Sequence, residues 1–316
     1  MSNPPLTRRD FLATASAAGS AFALGNPLPT FGAEKKKAAT ASASAPKKNY
    51  KIIAFSKPFA DLNFDQTADL VADIGWDGIE CPVRAKATHI QPERVEEDLP
   101  KMVEALKKRG KEVAIVTSDI TKLAPEAEKV LRTMAKLGIK KYRLGFEKYP
   151  KDEHPSKKVA EVGAALKDLA AFNKEHGLQG GWQNHSGIDY VGASLWDLWI
   201  MMKDLDPKNI GVCFDIGHAT LEGGLSWPNQ ARLMEPFYVA VYFKDFYWEK
   251  TEKGWQPRWC NFGEGSVQKS FVTNLRKSAY NGPLSQHHEY KDLGEGAAKI
   301  ANFRKDLATL REWLAA

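Results

Sequence analysis

The stretch Lys51-Ile52-Ile53-Ala54-Phe55-Ser56-Lys57-Pro58 decides between two folds. An apolar run of strand character leads straight into Ser-Lys-Pro, where a doubly wound nucleotide-binding sheet would carry a Gly-rich phosphate loop. Its absence turns the β/α alternation that starts here towards a closed barrel, and no nucleotide cofactor is expected. Working outward, strand-like runs recur at Gly78–Glu80, Glu112–Thr117, Lys141–Gly145, Leu178–Gln183, Gly211–Asp215, Val239–Lys244 and Pro283–Glu289. Helical period fills the gaps, at Asp65–Asp73, Pro92–Arg109, Pro125–Leu137, Lys157–His176, Ser194–Leu205, Trp227–Glu235, Val267–Ala279 and Gly296–Leu314. Prolines open two of these helices, and Gly110 and Gly138 stop them. Eight strands, each followed by a helix, predict an α/β protein of the (β/α)8 TIM barrel type over residues 49–316; about 250 residues is typical of that fold.

The chain ahead of the barrel reads differently. Thr7-Arg8-Arg9-Asp10-Phe11-Leu12 followed by an uncharged, Ala-rich run to Gly25 has the layout of a twin-arginine export signal, assigned to residues 1–33. The export machinery is then a partner, and a periplasmic or otherwise exported location is expected. The apolar run is shorter than the ~20 residues a membrane span needs, so any membrane contact is through an uncleaved signal. Residues 34–48, rich in Ala, Ser, Lys and Pro, form a linker that cannot bury enough apolar surface to order itself.

Charge excludes one class of partner. The chain holds 45 Lys+Arg and 39 Asp+Glu, a net +6. Seven of the basic residues (Arg8, Arg9, Lys35, Lys36, Lys37, Lys47, Lys48) and only two acidic ones (Asp10, Glu34) lie within residues 1–48, so the barrel itself is almost neutral. It lacks the basic footprint that nucleic-acid binding requires. The three cysteines, Cys81, Cys213 and Cys260, are widely spaced and form neither a C-x-x-C pair nor a staple for a chain this long.

Barrel enzymes place their chemistry at the C-terminal ends of the strands. Those ends carry Glu80, Asp119, Arg143, Gln183, Asn184, His185, Asp215, His218, Lys244, Asp245, His287, His288 and Glu289. The sharpest local signal is Asp215-Ile216-Gly217-His218, where an apolar strand delivers a carboxylate and a tight Gly-containing turn sets an imidazole beside it. Such a pair ligates a divalent metal or orients a sugar hydroxyl, although a carboxylate there also suits a helix cap. Alternation puts Tyr242 and Lys244 on one side of their strand. Lys244 is read either as a structural ion pair with Asp245 or Glu289, or as the group that steadies a developing enediolate. Between Asp245 and Gly263, Tyr247, Trp248, Trp255, Trp259 and Phe262 read as an aromatic loop whose faces suit sugar rings.

Gly75-Trp76-Asp77-Gly78-Ile79-Glu80, Gln183-Asn184-His185, Asp215-Ile216-Gly217-His218, Tyr242-Phe243-Lys244-Asp245 and Phe262-Gly263-Glu264-Gly265 together resemble the xylose-isomerase-like barrel superfamily. That group includes sugar isomerases, ketose 3-epimerases, inosose dehydratases and endonuclease IV. The resemblance runs from Lys51 to Leu314. It implies a single divalent metal held by a Glu, an Asp, a His and a Glu at the ends of the fifth to eighth strands. Here those positions carry Gln183, Asp215, Tyr242 and His287. Gln183, Asp215 and His287 are therefore the candidate ligands for Mn, Zn, Co or Mg, with His185 or Glu289 in support. Gln is neutral and Tyr is a poor ligand near pH 7, so the set is weakened.

The resemblance implies an enzyme on a sugar, keto-sugar or cyclitol, of isomerase, epimerase or lyase type, working by proton abstraction next to a carbonyl. Glu80, Glu289 or His287 are assigned as base and acid, and Lys244 or a metal on Asp215 as electrophile. Arg143, His185, His218 and Trp248 are assigned to substrate binding. The alternative is a carbohydrate-binding barrel that has lost both metal site and catalysis.

Overall fold

The computed structural model describes residues 48–86 and 89–316. The expected export signal, and all of the expected linker except Lys48, lie outside the described residues. Among the described residues, ten strands and nine α-helices follow one another: β1 (Ile52–Phe55), α1 (Phe64–Ile74), β2 (Gly78–Val83), α2 (Val95–Lys107), β3 (Glu112–Ser118), α3 (Pro125–Lys136), β4 (Lys141–Arg143), α4 (Pro155–His176), β5 (Gln179–Gln183), α5 (Leu195–Met202), β6 (Ile210–Asp215), α6 (Ile216–Gly223), α7 (Trp227–Met234), β7 (Tyr238–Phe243), β8 (Asp245–Thr251), β9 (Gly254–Cys260), α8 (Lys269–Lys277), β10 (Leu284–Gln286) and α9 (Gly296–Ala315). Eight of the strands close a parallel barrel in the order β1-β10-β7-β6-β5-β4-β3-β2. The predicted (β/α)8 barrel is the fold. Among the described residues, no helix is long and apolar enough to cross a membrane.

Local chemistry sets the element ends. At α1, Asn63 accepts from the Gln66 amide while the Gln66 side chain accepts from the Asn63 amide, and Gly75 closes the helix at φ 93°. Every residue of β6 and β7 is buried, as expected for parallel strands with helices outside and side chains within. The inner floor is apolar, formed by Ile53, Ile115, Cys213, Val239, Ala240 and Tyr242. A side chain in place of Gly181 would bring its Cβ within 2.5 Å of Cys213 Sγ, so that strand passes the floor only as glycine.

The structure departs from the sequence reading at three places. First, β2 does not stop at Glu80; it continues through Pro82 to Val83, paired to β3 as far as Ser118. Its pairing with β1 ends at Phe55–Glu80, so Pro82 meets β1 nowhere and its missing N–H costs no ladder bond on that side. Glu80 is thus mid-strand inside the barrel, not at a strand tip. Second, Asp215-Ile216-Gly217-His218 is no tight turn. Asp215 ends β6 and caps α6, its Oδ1 accepting from the His218 amide at 3.1 Å. Third, the aromatic segment after Asp245 is an antiparallel hairpin, β8–β9, paired from Asp245–Cys260 to Thr251–Gly254.

The hairpin base is tied down in two ways. Asp245, one of the two partners offered for Lys244 beside Glu289, instead accepts from the amides of Phe246, Gly263, Gly265 and Val267 at 2.8–3.0 Å and so gathers the chain around it. On α9, Asp306 accepts from Asn261 Nδ2 at 2.7 Å, the Phe262 amide at 3.1 Å and the Tyr290 hydroxyl at 3.1 Å. Burial pushes the Asp306 carboxyl up to about 7 against the relief these donors give. The folded state therefore holds a proton that the unfolded chain releases, and stability from this group falls as pH rises from about 4 towards 7. Asp306→Asn should flatten the melting temperature across that interval in a pH series of thermal melts. A dependence as steep as in the parent protein contradicts the assignment.

Candidate active site

Strand period two puts Phe55, Thr117 and Asp215 one step above the apolar floor, on the mouth side. At this level a closed circuit of side chains runs around the barrel. Arg143 donates from a guanidinium NH2 group to Gln183 Oε1 at 2.5 Å, and Gln183 Nε2 donates to Asp215 Oδ2 at 2.8 Å. Lys244 Nζ lies 3.3 Å from that same Asp215 oxygen and 3.3 Å from Glu289 Oε2. His287 Nδ1 is 3.7 Å from Glu289 Oε2, and its Nε2 is 3.0 Å from Glu80 Oε2. Arg143 Nε, 4.0 Å from Glu80 Oε1, completes the ring. Seven candidates read from the sequence thus meet in one place: Glu80, Arg143, Gln183, Asp215, Lys244, His287 and Glu289.

Electrostatics follow from the circuit. Glu80 is fully buried; burial alone would raise its carboxyl, but His287, Arg143 and the Thr117 hydroxyl hold it down to about 2. Ser285 donates to it as well, at 2.7 Å. Burial works against a charged His287, yet Glu80 and Glu289 raise its pKa above the ordinary value. Glu289 resists the cost of its burial because Lys244, His287 and Lys57 keep it well below the carboxylate range. It is the carboxylate of the ring that reaches the surface, with a side chain 27% exposed.

Two more predicted residues stand beside the ring. Ser186 Oγ pairs with His218 Nδ1 at 2.7 Å, and His218 Nε2 faces Asp215 Oδ2 at 3.7 Å. The His185 ring packs 4.2 Å from that of His218 and against Phe146 and Tyr190. Burial and the nearby Lys244 ammonium lower His185 to about 4 and drive His218 well below the ordinary value, so both are neutral at pH 7.

Trp248 is not brought to the ring. It lies on the hairpin, 48% exposed, edge-on to Phe246 at 5.8 Å. Among the aromatics of the hairpin, the one at the site is Trp259, whose ring centroid is 4.9 Å from Lys244 Nζ and 5.0 Å from the His218 ring. Register explains the exchange: Trp259 pairs with Phe246 one step from the barrel, whereas Trp248 is farther out, opposite Pro257. Gly217 permits this closure, since a Cβ there would sit 2.7 Å from the Lys244 carbonyl oxygen and 3.1 Å from the Trp259 ring.

Other strand-end residues leave the site. Asp119 pairs with Arg84, Glu264 with Lys305, and His288 points to the other side of its strand, against Trp76 and Phe303. Three contributors escaped the sequence reading: Thr117 and Ser285, which hold Glu80, and Lys57, which donates to Glu289 Oε1 at 2.9 Å. Isolated Ser, Thr and Lys residues carry no periodic or motif signal that could have singled them out.

The expected metal ligands do not converge on a common centre. Gln183 spends its one donor oxygen on Arg143, and both ring nitrogens of His287 face carboxylates. Among the described residues, no group of three or more His, Cys, Asp or Glu side chains is arranged to hold a metal ion. The residues present do not fit the divalent ion that the sequence resemblance implied.

Comparison with known proteins agrees with this architecture. An uncharacterized protein of Methanocaldococcus jannaschii is 25% identical over 130 residues, 39% of this chain and 41% of its own length, so the match spans about two fifths of that relative. Among solved structures, a xylose isomerase domain protein from Planctomyces limnophilus superposes with TM-score 0.60 at 18% identity, covering 84% of this chain and 96% of its own. The 3-keto-D-glucoside 4-epimerase of E. coli superposes with TM-score 0.65 at 16% identity, covering 84% and 100%. At such identities these structures attest the fold. A family model described as xylose isomerase-like TIM barrel matches residues 68–313, which takes in every residue of the ring, and the chain belongs to that family.

Proposed function

We propose that this protein is an enzyme acting on a sugar, keto-sugar or cyclitol, and that it moves a proton on a carbon next to a carbonyl. The observation that carries the reading is the ring itself, in which an accessible carboxylate, Glu289, adjoins an ammonium, Lys244, bridged to Asp215. A carboxylate beside a fixed cation is what proton abstraction needs: one removes the proton and the other steadies the oxyanion that forms. Glu289 serves as base and Lys244 as electrophile. Glu80, with no exposed surface, orients His287 and does not touch substrate. Neutral His185 and His218 offer ring nitrogens to substrate hydroxyls, with Arg143 buried behind Gln183 as a fixed positive charge.

Isomerisation, epimerisation and elimination share this first step, and the 3-keto-D-glucoside 4-epimerase with the same fold makes keto-sugars one class to test. Incubation with a panel of ketoses, keto-glycosides and inososes, followed by chromatography of the products, tests the reading. The parent protein should convert at least one, and His218→Ala should lower kcat/KM by about tenfold to hundredfold on it, chiefly through KM. Binding without conversion across the panel would favour a carbohydrate-binding barrel instead. We also propose export, from Arg8-Arg9 and the apolar run behind it; Arg8→Lys with Arg9→Lys should hold the protein in the cytoplasm on cell fractionation.

A further inference from the structure

We infer that the Lys244 ammonium is the built-in cation of this barrel mouth and that the site takes no divalent metal. A metal ion shared by two carboxylates needs an oxygen from each within about 2.0–2.6 Å, at a point between them. Here that point belongs to Lys244 Nζ, 3.3 Å from Asp215 Oδ2 and 3.3 Å from Glu289 Oε2. Lys244 is 5% exposed, and the Trp259 face lies against its ammonium at 4.9 Å, so it is held in place from the side as well.

The remaining positions are closed to a metal by the same circuit. Gln183 brings no charge, and its oxygen is taken by Arg143 at 2.5 Å. Its amide nitrogen, a donor with no lone pair to offer, faces Asp215 at 2.8 Å. On the Glu289 side a second ammonium, Lys57, holds the other carboxylate oxygen at 2.9 Å. Arg143, Lys57 and Lys244 already match Glu80, Asp215 and Glu289 one for one, before His287, whose pKa those carboxylates raise, is counted. A dication would add charge where none is needed. This inference concerns the site alone and holds whichever sugar is converted, so its failure is separable from failure of the proposed reaction.

Metal uptake by the purified full-length chain tests it directly. The parent protein, Lys244→Met and Lys244→Gln are equilibrated with 1 mM MnCl2, desalted for elemental analysis, and melted with and without the ion. The parent protein should retain less than about 0.1 Mn per chain and show no shift in melting temperature. Removing the ammonium leaves Asp215 and Glu289 facing each other, so at least one of the two variants should gain an Mn-dependent rise of about 2 °C or more. Near-stoichiometric Mn in the parent protein, lost on Asp215→Asn, overturns the inference. So does indifference to Mn in both lysine variants, because Lys244 would then not be what keeps the ion out. Lys244→Gln covers the case in which Lys244→Met does not fold.

Discussion

Lys244→Met is expected to lower kcat on the order of 10³-fold on whichever sugar the protein converts, with a much smaller change in substrate affinity. Methionine keeps an unbranched stem beside Trp259 but removes the one positive charge that touches both Asp215 and Glu289. An oxyanion developing between Asp215 and Glu289 then meets two carboxylates without the ammonium that bridges them. In a buried, low-dielectric ring a single preorganised donor is worth about 10²–10³ in rate, and here the donor also offsets the base's own charge. Steady-state kinetics with calorimetric binding of the same sugar separates the two parameters. A variant that retains more than a tenth of parental kcat places the electrophile elsewhere in the ring.

Glu80→Gln is expected to act on stability before catalysis. Glu80 accepts from Thr117, Ser285 and His287 in a site with no solvent access, and it is the counter-charge nearest to both His287 and Arg143. A neutral amide leaves the Arg143 guanidinium and the His287 ring buried without that carboxylate, and breaking a buried pair costs about 3–5 kcal/mol. For a domain of this size that corresponds to a melting-temperature drop on the order of 10 °C at pH 7. The sign with pH is fixed: a carboxyl held down to about 2 stabilises the fold above its ordinary value and ceases to do so as pH falls through about 2. The gap between parent and variant should therefore narrow at strongly acid pH. Equal melting temperatures at pH 7 contradict the picture of Glu80 as the anchor of His287.

Much of this was open to reading in the sequence, because barrel strands are short, wholly buried and punctuated. All eight strand segments are legible, and seven of the predicted residues meet in the ring because a period of two puts alternate side chains on the inner side. What escaped reading depends on partners distant in the chain. Whether β2 ends at Glu80 or runs on through Pro82 is set by where β1 stops pairing with it. Asp215-Ile216-Gly217-His218 starts α6 through the local Asp215 cap, which a carboxylate there already suggests; that Gly217 leaves room for Lys244 and Trp259 is set by residues distant in the chain. The choice between Trp248 and Trp259 depends on hairpin register, which consecutive aromatics at Phe246, Tyr247 and Trp248 conceal by breaking alternation. In isolation, Gln183 reads as a weakened metal ligand. Only with Arg143 and Lys244 in place does it become a neutral strut between a guanidinium and a carboxylate.

The central claim is that the ring removes a proton from a carbon next to a carbonyl, with Glu289 as base and Lys244 as electrophile. Solvent deuterium exchange reads that step without waiting for a product to accumulate. Candidate keto-sugars are incubated in D2O with the parent protein, Glu289→Gln and Lys244→Met, and loss of the signal from the proton next to the carbonyl is followed by ¹H NMR. Exchange on at least one sugar with the parent protein, lost in both variants, is the predicted result. Exchange that persists in both variants, or tight binding of a keto-sugar with no exchange in the parent protein, contradicts it.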